Sequence, residues 1–213
     1  MGLSLIHKKG EMKLSELESK VSEDLNNALV SSKVLLQKFR LISETSRLAG
    51  SYADPRYTPF YYHLGKYVTP QKLLCVGFRL GMLPGCLLKS CESVTKFLSV
   101  QRKTDTFYSP RLGIKNVRDV YKGEFDYQLW ENTESVAPFD NDRWDLTIVD
   151  DDFEYDQCRT VLDKIWDRTN ANGLIVVDYL ESRNGNAFRD FARIHNREAV
   201  EFKTRYRTGI VQR

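Results

Sequence analysis

The sequence has no apolar run of the roughly 18 or more residues that a membrane-spanning helix needs. Its first residues, 1–13, also lack the apolar core of a secretory signal. Lys and Arg together exceed Asp and Glu by only three charges, so no strong electric field argues for nucleic acid as a partner. We therefore expect a cytoplasmic protein that contacts neither membrane nor nucleic acid.

Cysteine and histidine are scarce, with four and three residues in a chain of 213. No two cysteines form a C-x-x-C pair, and three of the four lie inside apolar runs, where a free thiol behaves as a small hydrophobic group. The histidines, His7, His63 and His195, have no ligand spacing. These absences argue against disulfides and against a zinc site. A composition of 41% hydrophobic and 29% charged residues instead fits one globular domain with an appendage.

The appendage begins with an apolar stripe over residues 14–48, in which apolar side chains recur mostly three or four positions apart. This spacing predicts one long helix or two consecutive helices, and Gly50 is a natural stop. The apolar face either packs on the neighbouring domain, which we favour, or holds a partner chain in an oligomer.

Residues 51–70 contain six Tyr and Phe residues and three prolines. They predict an ordered loop followed by a short helix near residues 63–67. The tyrosines either line a substrate pocket or anchor the N-terminal helix to the domain, since Tyr can bury its ring and keep its hydroxyl in water.

From Lys72 onward, short apolar strands alternate with helices, which is typical of a parallel sheet covered on both faces. The predicted strands cover residues 73–78, 95–100, 127–130, 145–149, 174–177, 199–202 and 209–211. The predicted helices cover residues 83–91, 109–121, 155–168 and 186–195. We therefore predict a Rossmann-like α/β fold: a mostly parallel seven-stranded sheet with a C-terminal antiparallel hairpin, preceded by a helical segment. Residues 1–70 would be the extension and Tyr-rich connector, and residues 71–213 the Rossmann-like domain.

Three segments carry a family resemblance. The stretch WDLTIVDDDFEY, Trp144 to Tyr155, and the later NGLIVVDY, Asn172 to Tyr179, resemble conserved segments of class I S-adenosylmethionine-dependent methyltransferases. The likeness is greatest to small-molecule O-methyltransferases of the macrocin and catechol type. The tail RYRTGIV, Arg205 to Val211, is similar to the hairpin that ends the same proteins. The resemblance implies a methyltransferase fold, S-adenosylmethionine as cofactor and a small hydroxylated substrate.

The cofactor residues that the resemblance implies follow the first strand, where the family has an acid and a Gly-x-Gly-x-Gly turn. Here Cys75 replaces the acid, Arg79 replaces the middle glycine, and Gly77 and Gly81 remain. Arg79 adds bulk and charge where a sulfonium cofactor, itself cationic, would pass. The ribose carboxylate of the family aligns with Gln101, and the adenine-side residue falls near Asn132.

Acidic residues are better preserved after the fourth and fifth strands. Asp150 and Asp178 would lie at the carboxyl ends of adjacent strands, as the catalytic acids and divalent-metal ligands of the family do, with Asp152 near enough to join them. Carboxylates with water suit Mg²⁺, and such an ion would polarise a substrate hydroxyl. However, Tyr179 stands where the family has a third ligand. The alternative is that these acids only cap the following helices.

Two functions follow. The chain is either an S-adenosylmethionine-dependent O-methyltransferase of a small molecule, or a catalytically inactive methyltransferase fold that serves a larger complex or a virus particle as a structural component. Arg79 separates them. Without catalysis, its guanidinium should fill the cofactor cleft and pair with Asp150, Asp152 or another acid. With catalysis, it should point into solvent. Methylation of nucleic acid is disfavoured, because Asp150 to Phe153 stand where an N/D-P-P-Y/F motif would be.

Overall fold

The computed structural model describes residues 12–37, 39, 51–103 and 110–213. Within these ranges the helices are α1 (Leu14–Asn26), α2 (Ser32–Leu36), α3 (Thr58–Tyr67), α4 (Met82–Leu88), α5 (Pro110–Val120), α6 (Tyr155–Arg168) and α7 (Arg183–Ile194). The strands are β1 (Lys72–Val76), β2 (Lys96–Arg102), β3 (Glu124–Trp130), β4 (Trp144–Val149), β5 (Thr169–Val177), β6 (Ala199–Phe202) and β7 (Thr208–Gln212). The predicted helix stop at Gly50 and helix start at Ser109 lie outside the described residues.

The seven strands form one sheet in the order β3-β2-β1-β4-β5-β7-β6. Strands β1 to β5 pair in parallel, whereas β7 pairs antiparallel with both β5 and β6. The predicted sheet, with its antiparallel C-terminal hairpin, is confirmed. The strand order reverses between β1 and β4, and in open α/β sheets ligands bind beyond the carboxyl ends of the strands at such a point.

The two faces of the sheet build two separate hydrophobic cores because successive side chains of a strand point to opposite faces. In β1, Leu73 and Cys75 belong to the core that α1, α3 and α4 cover. Leu74 and Val76 belong to the other core, which α6 and α7 cover. Both faces of the sheet are therefore buried, as the near-continuous apolar strands predicted.

Within the described part of the N-terminal stripe, α1 and α2 are separate consecutive helices, because α1 ends at Asn26 and Ser31 caps α2 by accepting a hydrogen bond from the Val34 amide at 3.3 Å. Its apolar face, Leu14, Leu17 and Val21, is buried in the same core as the sheet. The interpretation that this face packs on the domain is thus the one observed for α1. The division of the chain at residue 70 stays a prediction.

A buried carboxylate fixes α1 to α3. Asp24 accepts hydrogen bonds from Lys66 Nζ at 2.9 Å and from the Tyr67 hydroxyl at 2.7 Å. The imidazole Nδ1 of His63 lies 3.0 Å from the same oxygen. Asp24 and His63 are both buried. These contacts therefore replace the water that the Asp24 carboxylate loses at the interface between α1 and α3.

The boundaries that differ most from the predicted ones are the starts of α3 and β5. Helix α3 begins at Thr58, well before residue 63, because Pro59 has the fixed φ that suits the first helical turn. Strand β5 begins at Thr169 and runs through Asn172, whose φ of 63° makes an irregularity in the strand rather than a separate turn. The register of the pairing between β4 and β5 changes between Trp144 and Leu146, beside this irregularity.

The described helices include none that combines the length and apolar character needed to cross a membrane. The four cysteines are buried free thiols, as predicted.

Truncating the α1 face should destabilise the protein. Leu17 is 3% exposed, so Leu17→Ala is expected to lower the free energy of unfolding by about 2–5 kcal/mol through lost burial and a cavity. The matched control is Leu129→Ala, because Leu129 is 54% exposed and such a change costs less than about 0.5 kcal/mol. Equal denaturation midpoints for the two variants would contradict the docked arrangement of α1.

Burial of His63 should make stability depend on pH, and the nearby Asp24 carboxylate only partly opposes this effect. Burial lowers the pKa of His63 below its ordinary value of 6.5, so below about pH 6.5 the unfolded chain binds a proton that the folded chain resists. Stability from this residue is therefore full above pH 6.5 and falls as the pH falls. When the pH is lowered from 7.5 to 5.5, the melting temperature of the native protein should fall further than that of His63→Gln. Parallel pH profiles would refute this role.

Candidate functional site

The carboxyl ends of four parallel strands meet at one edge of the sheet, which we call the carboxyl edge. The Gly77 amide, after β1, donates to the Val100 carbonyl at 2.8 Å, and the Asp150 amide, after β4, donates to Val76 at 2.7 Å. The Asp178 amide, after β5, donates to Val149 at 3.0 Å. Asp150 and Asp178 therefore follow adjacent strands, as predicted.

Asp178 is fully buried and is held by three hydroxyl groups. Its Oδ2 accepts hydrogen bonds from the hydroxyls of Tyr57 at 2.8 Å and Tyr61 at 2.9 Å. Its Oδ1 accepts from Thr208 Oγ1 at 2.5 Å, and this hydroxyl also lies 2.7 Å from Thr204 Oγ1. We call Asp178 with Tyr57, Tyr61 and Thr208 the Asp178 network.

The electrostatics of this network keep the tyrosines protonated. Burial, together with the Asp178 and Asp150 carboxylates, raises the pKa of Tyr57 and Tyr61 well above their ordinary value. Burial also raises the pKa of Asp178, and the three hydroxyl donors oppose that rise. Both phenols therefore remain donors at neutral pH, so they serve to stabilise the carboxylate rather than to act as bases.

Arg79 points into the fold rather than into solvent. Only 11% of its side chain is exposed, and its Nε lies 3.8 Å from Oδ1 of the buried Asp150. Its Nη1 donates to the Tyr179 hydroxyl, and the guanidinium lies over the Tyr179 ring, 4.7 Å from the centroid. The Arg79 side chain therefore contacts the acid that follows β4 and the aromatic ring that follows β5.

A second ring supports this contact. Tyr206, from the β6 to β7 connection, stacks on Tyr179 with centroids 4.7 Å apart and planes 21° apart. The Tyr206 hydroxyl lies 2.7 Å from Ser51 Oγ in the connector, and its ring meets Tyr57 edge-on. We call Arg79, Tyr179 and Tyr206 the Arg79 stack. It joins the turn after β1, the end of β5 and the C-terminal hairpin.

The backbone around the stack is strained at two non-glycine residues. Arg79 has φ of 48° and Tyr179 has φ of 62°, in the left-handed region that side chains normally avoid. The Arg79 amide donates to Gln101 Oε1 at 2.9 Å, which holds the turn. Such strain persists only where neighbouring contacts fix it. Gln101, the predicted ribose contact, is thereby engaged by the protein's own backbone.

The three consecutive acids after β4 have three different partners. Asp150 faces Arg79. Asp151 accepts a bidentate pair of hydrogen bonds from the Arg102 guanidinium, at 2.7 and 2.8 Å. Asp152 accepts from Ser182 Oγ at 2.7 Å. The interpretation that these acids merely cap α6 is not what is observed, because Glu154 forms the capping box of that helix with Gln157.

The two glycines of the first turn are required by the chain itself. A Cβ at Gly77 would lie 2.2 Å from the Asp150 carbonyl oxygen, and one at Gly81 would lie 2.8 Å from the Gly113 carbonyl oxygen. Both residues also have positive φ. Packing and turn geometry explain them without a ligand.

Cys75 and Asn132 complete the predicted cofactor positions. Cys75 is buried within β1, and burial raises the pKa of its thiol well above the ordinary value, so it does not replace the charge of the family's acid. Asn132 Oδ1 accepts from the Glu134 and Ser135 amides at 2.9 Å each, which makes it the first residue of an exposed turn.

The donor set does not fit Mg²⁺. Both oxygens of Asp178 are engaged by hydroxyl donors, and Asp152 bonds to Ser182. Among the described residues, no three His, Cys, Asp or Glu side chains are grouped so that they could hold a metal ion. The expectation that Asp150, Asp152 and Asp178 share an ion is therefore unsupported, because hydrogen-bond donors and Arg79 supply the compensation that a cation would give.

The resemblance places S-adenosylmethionine at the carboxyl edge. There the side chains of Arg79 and Tyr179 lie between Asp150 and Tyr206, and Gln101 is 4% exposed. A cavity of about 700 Å³ opens at the opposite, amino-terminal edge, where its walls include Leu14, Tyr67, Leu146 and Asn172. None of the predicted site residues lines that cavity.

Sequence reasoning missed five residues of the site: Tyr57, Tyr61, Arg102, Tyr206 and Thr208. The connector tyrosines had two interpretations, and the observed one is anchoring, although their hydroxyls reach Asp178 rather than water. The only signal for Arg102 was its place directly after Gln101, at the end of a strand.

No protein-family model and no curated protein matches this sequence. Solved structures do match. An O-methyltransferase from Bacillus cereus in complex with SAH gives a TM-score of 0.56 at 11% identity, covering 92% of this chain and 91% of that chain. The O-methyltransferase TomG from Streptomyces achromogenes, in complex with SAM, gives 0.55 at 9% identity, covering 92% and 98%. An O-methyltransferase family protein from Burkholderia thailandensis gives 0.57 at 10% identity, covering 93% and 69%.

At these identities the likeness establishes the fold. The chain has the Rossmann-like fold of these O-methyltransferase structures, as the sequence predicted.

Removing one hydroxyl from the Asp178 network should destabilise the fold. Tyr61→Phe keeps the ring but takes a donor from a buried carboxylate, so we expect a loss of about 1–3 kcal/mol. The matched control is Tyr155→Phe, because the Tyr155 hydroxyl donates to Asp190 at 2.7 Å on the surface, where solvent competes for the bond and its loss should change stability little. Chemical denaturation measures both. A Tyr61→Phe loss no larger than that of the control would argue against a buried charged Asp178.

Proposed function

We propose that this chain is a methyltransferase-fold protein that does not use S-adenosylmethionine and that serves as a structural or assembly component. The observation that carries the proposal is the Arg79 guanidinium, which lies inside the fold between Asp150 and Tyr179. A cationic cofactor would need that space and would meet an existing positive charge there.

The acidic cluster supports the same conclusion. By sequence, these acids favour catalysis, since carboxylates at this edge would bind a metal or take a proton. In the folded chain, Asp150 faces Arg79, Asp151 is bound by Arg102, and Asp178 is held by three hydroxyls. A buried carboxylate with its hydrogen bonds already made has little capacity left for a substrate.

The positions that replace the family pattern act together. Arg79 stands where the family has a glycine, and it supplies the cation for Asp150. Gln101 stands where the family has the ribose carboxylate, and its Oε1 accepts a hydrogen bond from the Arg79 amide. These departures from the family pattern are therefore in contact with one another and with Asp150.

An active O-methyltransferase of a small molecule is the second candidate. It is favoured by the fold shared with O-methyltransferases solved with SAH and SAM. Under that hypothesis Asp150 and Asp178 are the catalytic residues, and Arg79 must leave the cleft before the cofactor enters. A metal is not part of either proposal.

An assembly role needs a contact surface. Leu29 and Val34 are 60% and 56% exposed in the N-terminal helical part, and we propose this part as the contact for an oligomer or a partner protein. The cytoplasmic location stays a prediction.

Isothermal titration calorimetry tests the proposal. S-adenosylmethionine and S-adenosylhomocysteine, each up to millimolar concentration, should give heats indistinguishable from buffer, because Arg79 and Tyr179 occupy the cleft. The same ligand solutions titrated into a methyltransferase known to bind them provide the positive control. A saturable isotherm with the native chain would overturn the proposal in favour of the enzyme.

A further inference from the structure

We infer that the carboxyl edge is a cation-binding site that the chain fills with its own Arg79, and that the site takes a small planar organic cation of the guanidinium type once that side chain is removed. This inference rests on the proposed function, since it assumes that Arg79 fills the cleft in the native protein. It adds the chemical class of ligand that the vacated site recognises.

The walls of this site match a planar cation. Asp150, 1% exposed, supplies a carboxylate 3.8 Å from Nε. The Tyr179 ring supplies a flat face 4.7 Å from the guanidinium carbon, and its hydroxyl accepts a hydrogen bond from Nη1. A carboxylate beside an aromatic face attracts a delocalised cation through both charge and the ring quadrupole. A neutral ligand of the same shape would gain neither interaction.

These walls are held by contacts that do not involve the Arg79 side chain. The Asp150 amide is bonded to the Val76 carbonyl at 2.7 Å. Tyr179 is backed by Tyr206, whose hydroxyl lies 2.7 Å from Ser51 Oγ. Removing the side chain should therefore leave a shaped cavity rather than a collapsed one.

The backbone at this position also tolerates the change. Arg79 has φ of 48°, a conformation that glycine adopts without steric cost. Arg79→Gly therefore removes the charge and the bulk while it relieves backbone strain. Arg79→Met is the matched control, since it removes the charge but fills much of the space.

The experiment is thermal unfolding of the native chain, Arg79→Gly and Arg79→Met with methylguanidinium or with methylurea, its neutral isostere. Arg79→Gly should melt below the native chain, because a buried carboxylate has lost its cation. Methylguanidinium at about 20 mM should restore several degrees in Arg79→Gly alone, since a ligand of the native state stabilises it by mass action. Methylurea should restore nothing.

The inference is overturned if methylguanidinium raises the melting temperature of Arg79→Gly no more than that of Arg79→Met or the native chain, or if methylurea does as well. Should Arg79→Gly prove unfolded, Arg79→Asn gives the same test, because Asn tolerates this φ and is shorter than Arg. The outcome is independent of the calorimetry above. S-adenosylmethionine binding by the native chain would reject the inactive function, whereas absent rescue would reject only the cation site.

Discussion

The Asp178 carboxylate has no access to water, and the carboxyl edge is arranged around that constraint. A carboxyl group in such a position is tolerated only when the protein supplies the hydrogen bonds that water would give. The Asp178 network supplies them from two other segments, the connector at the start of α3 and strand β7. The connector therefore lies across the edge of the sheet where this fold class exposes its ligand site.

Closure of that edge explains why Arg79 and Asp150 are found together. The edge is covered by Tyr57, Tyr61 and Tyr206. Asp150 is therefore as buried as Asp178, and its negative charge needs a compensating group of its own. The compensating group is the guanidinium of Arg79, which Tyr179 also contacts through its ring. One site thus uses hydroxyl donors for one acid and an internal cation for the next.

The same closure has a conformational cost. Arg79 and Tyr179 both hold left-handed backbone conformations that cost on the order of 1–3 kcal/mol each in ordinary residues. The contact between their side chains offsets part of that cost, as does the bond from the Arg79 amide to Gln101. The turn after β1 therefore has, at Arg79, a left-handed backbone of the kind that glycine adopts. The Arg79 side chain contacts Asp150 and Tyr179 inside the protein.

The sequence by itself determined the α/β fold, the positions of the seven strands, the C-terminal hairpin and the placing of Asp150 and Asp178 after adjacent strands. These features follow from local signals, because apolar runs, turn residues and strand ends are read within a few positions. It also named Arg79 as the residue to examine. Only the tertiary structure decided which groups face the acids, since Tyr57 and Tyr61 lie 121 and 117 positions from Asp178 and Arg79 lies 100 from Tyr179. Charge compensation in a buried site depends on distances in space, and no local pattern of residues encodes them.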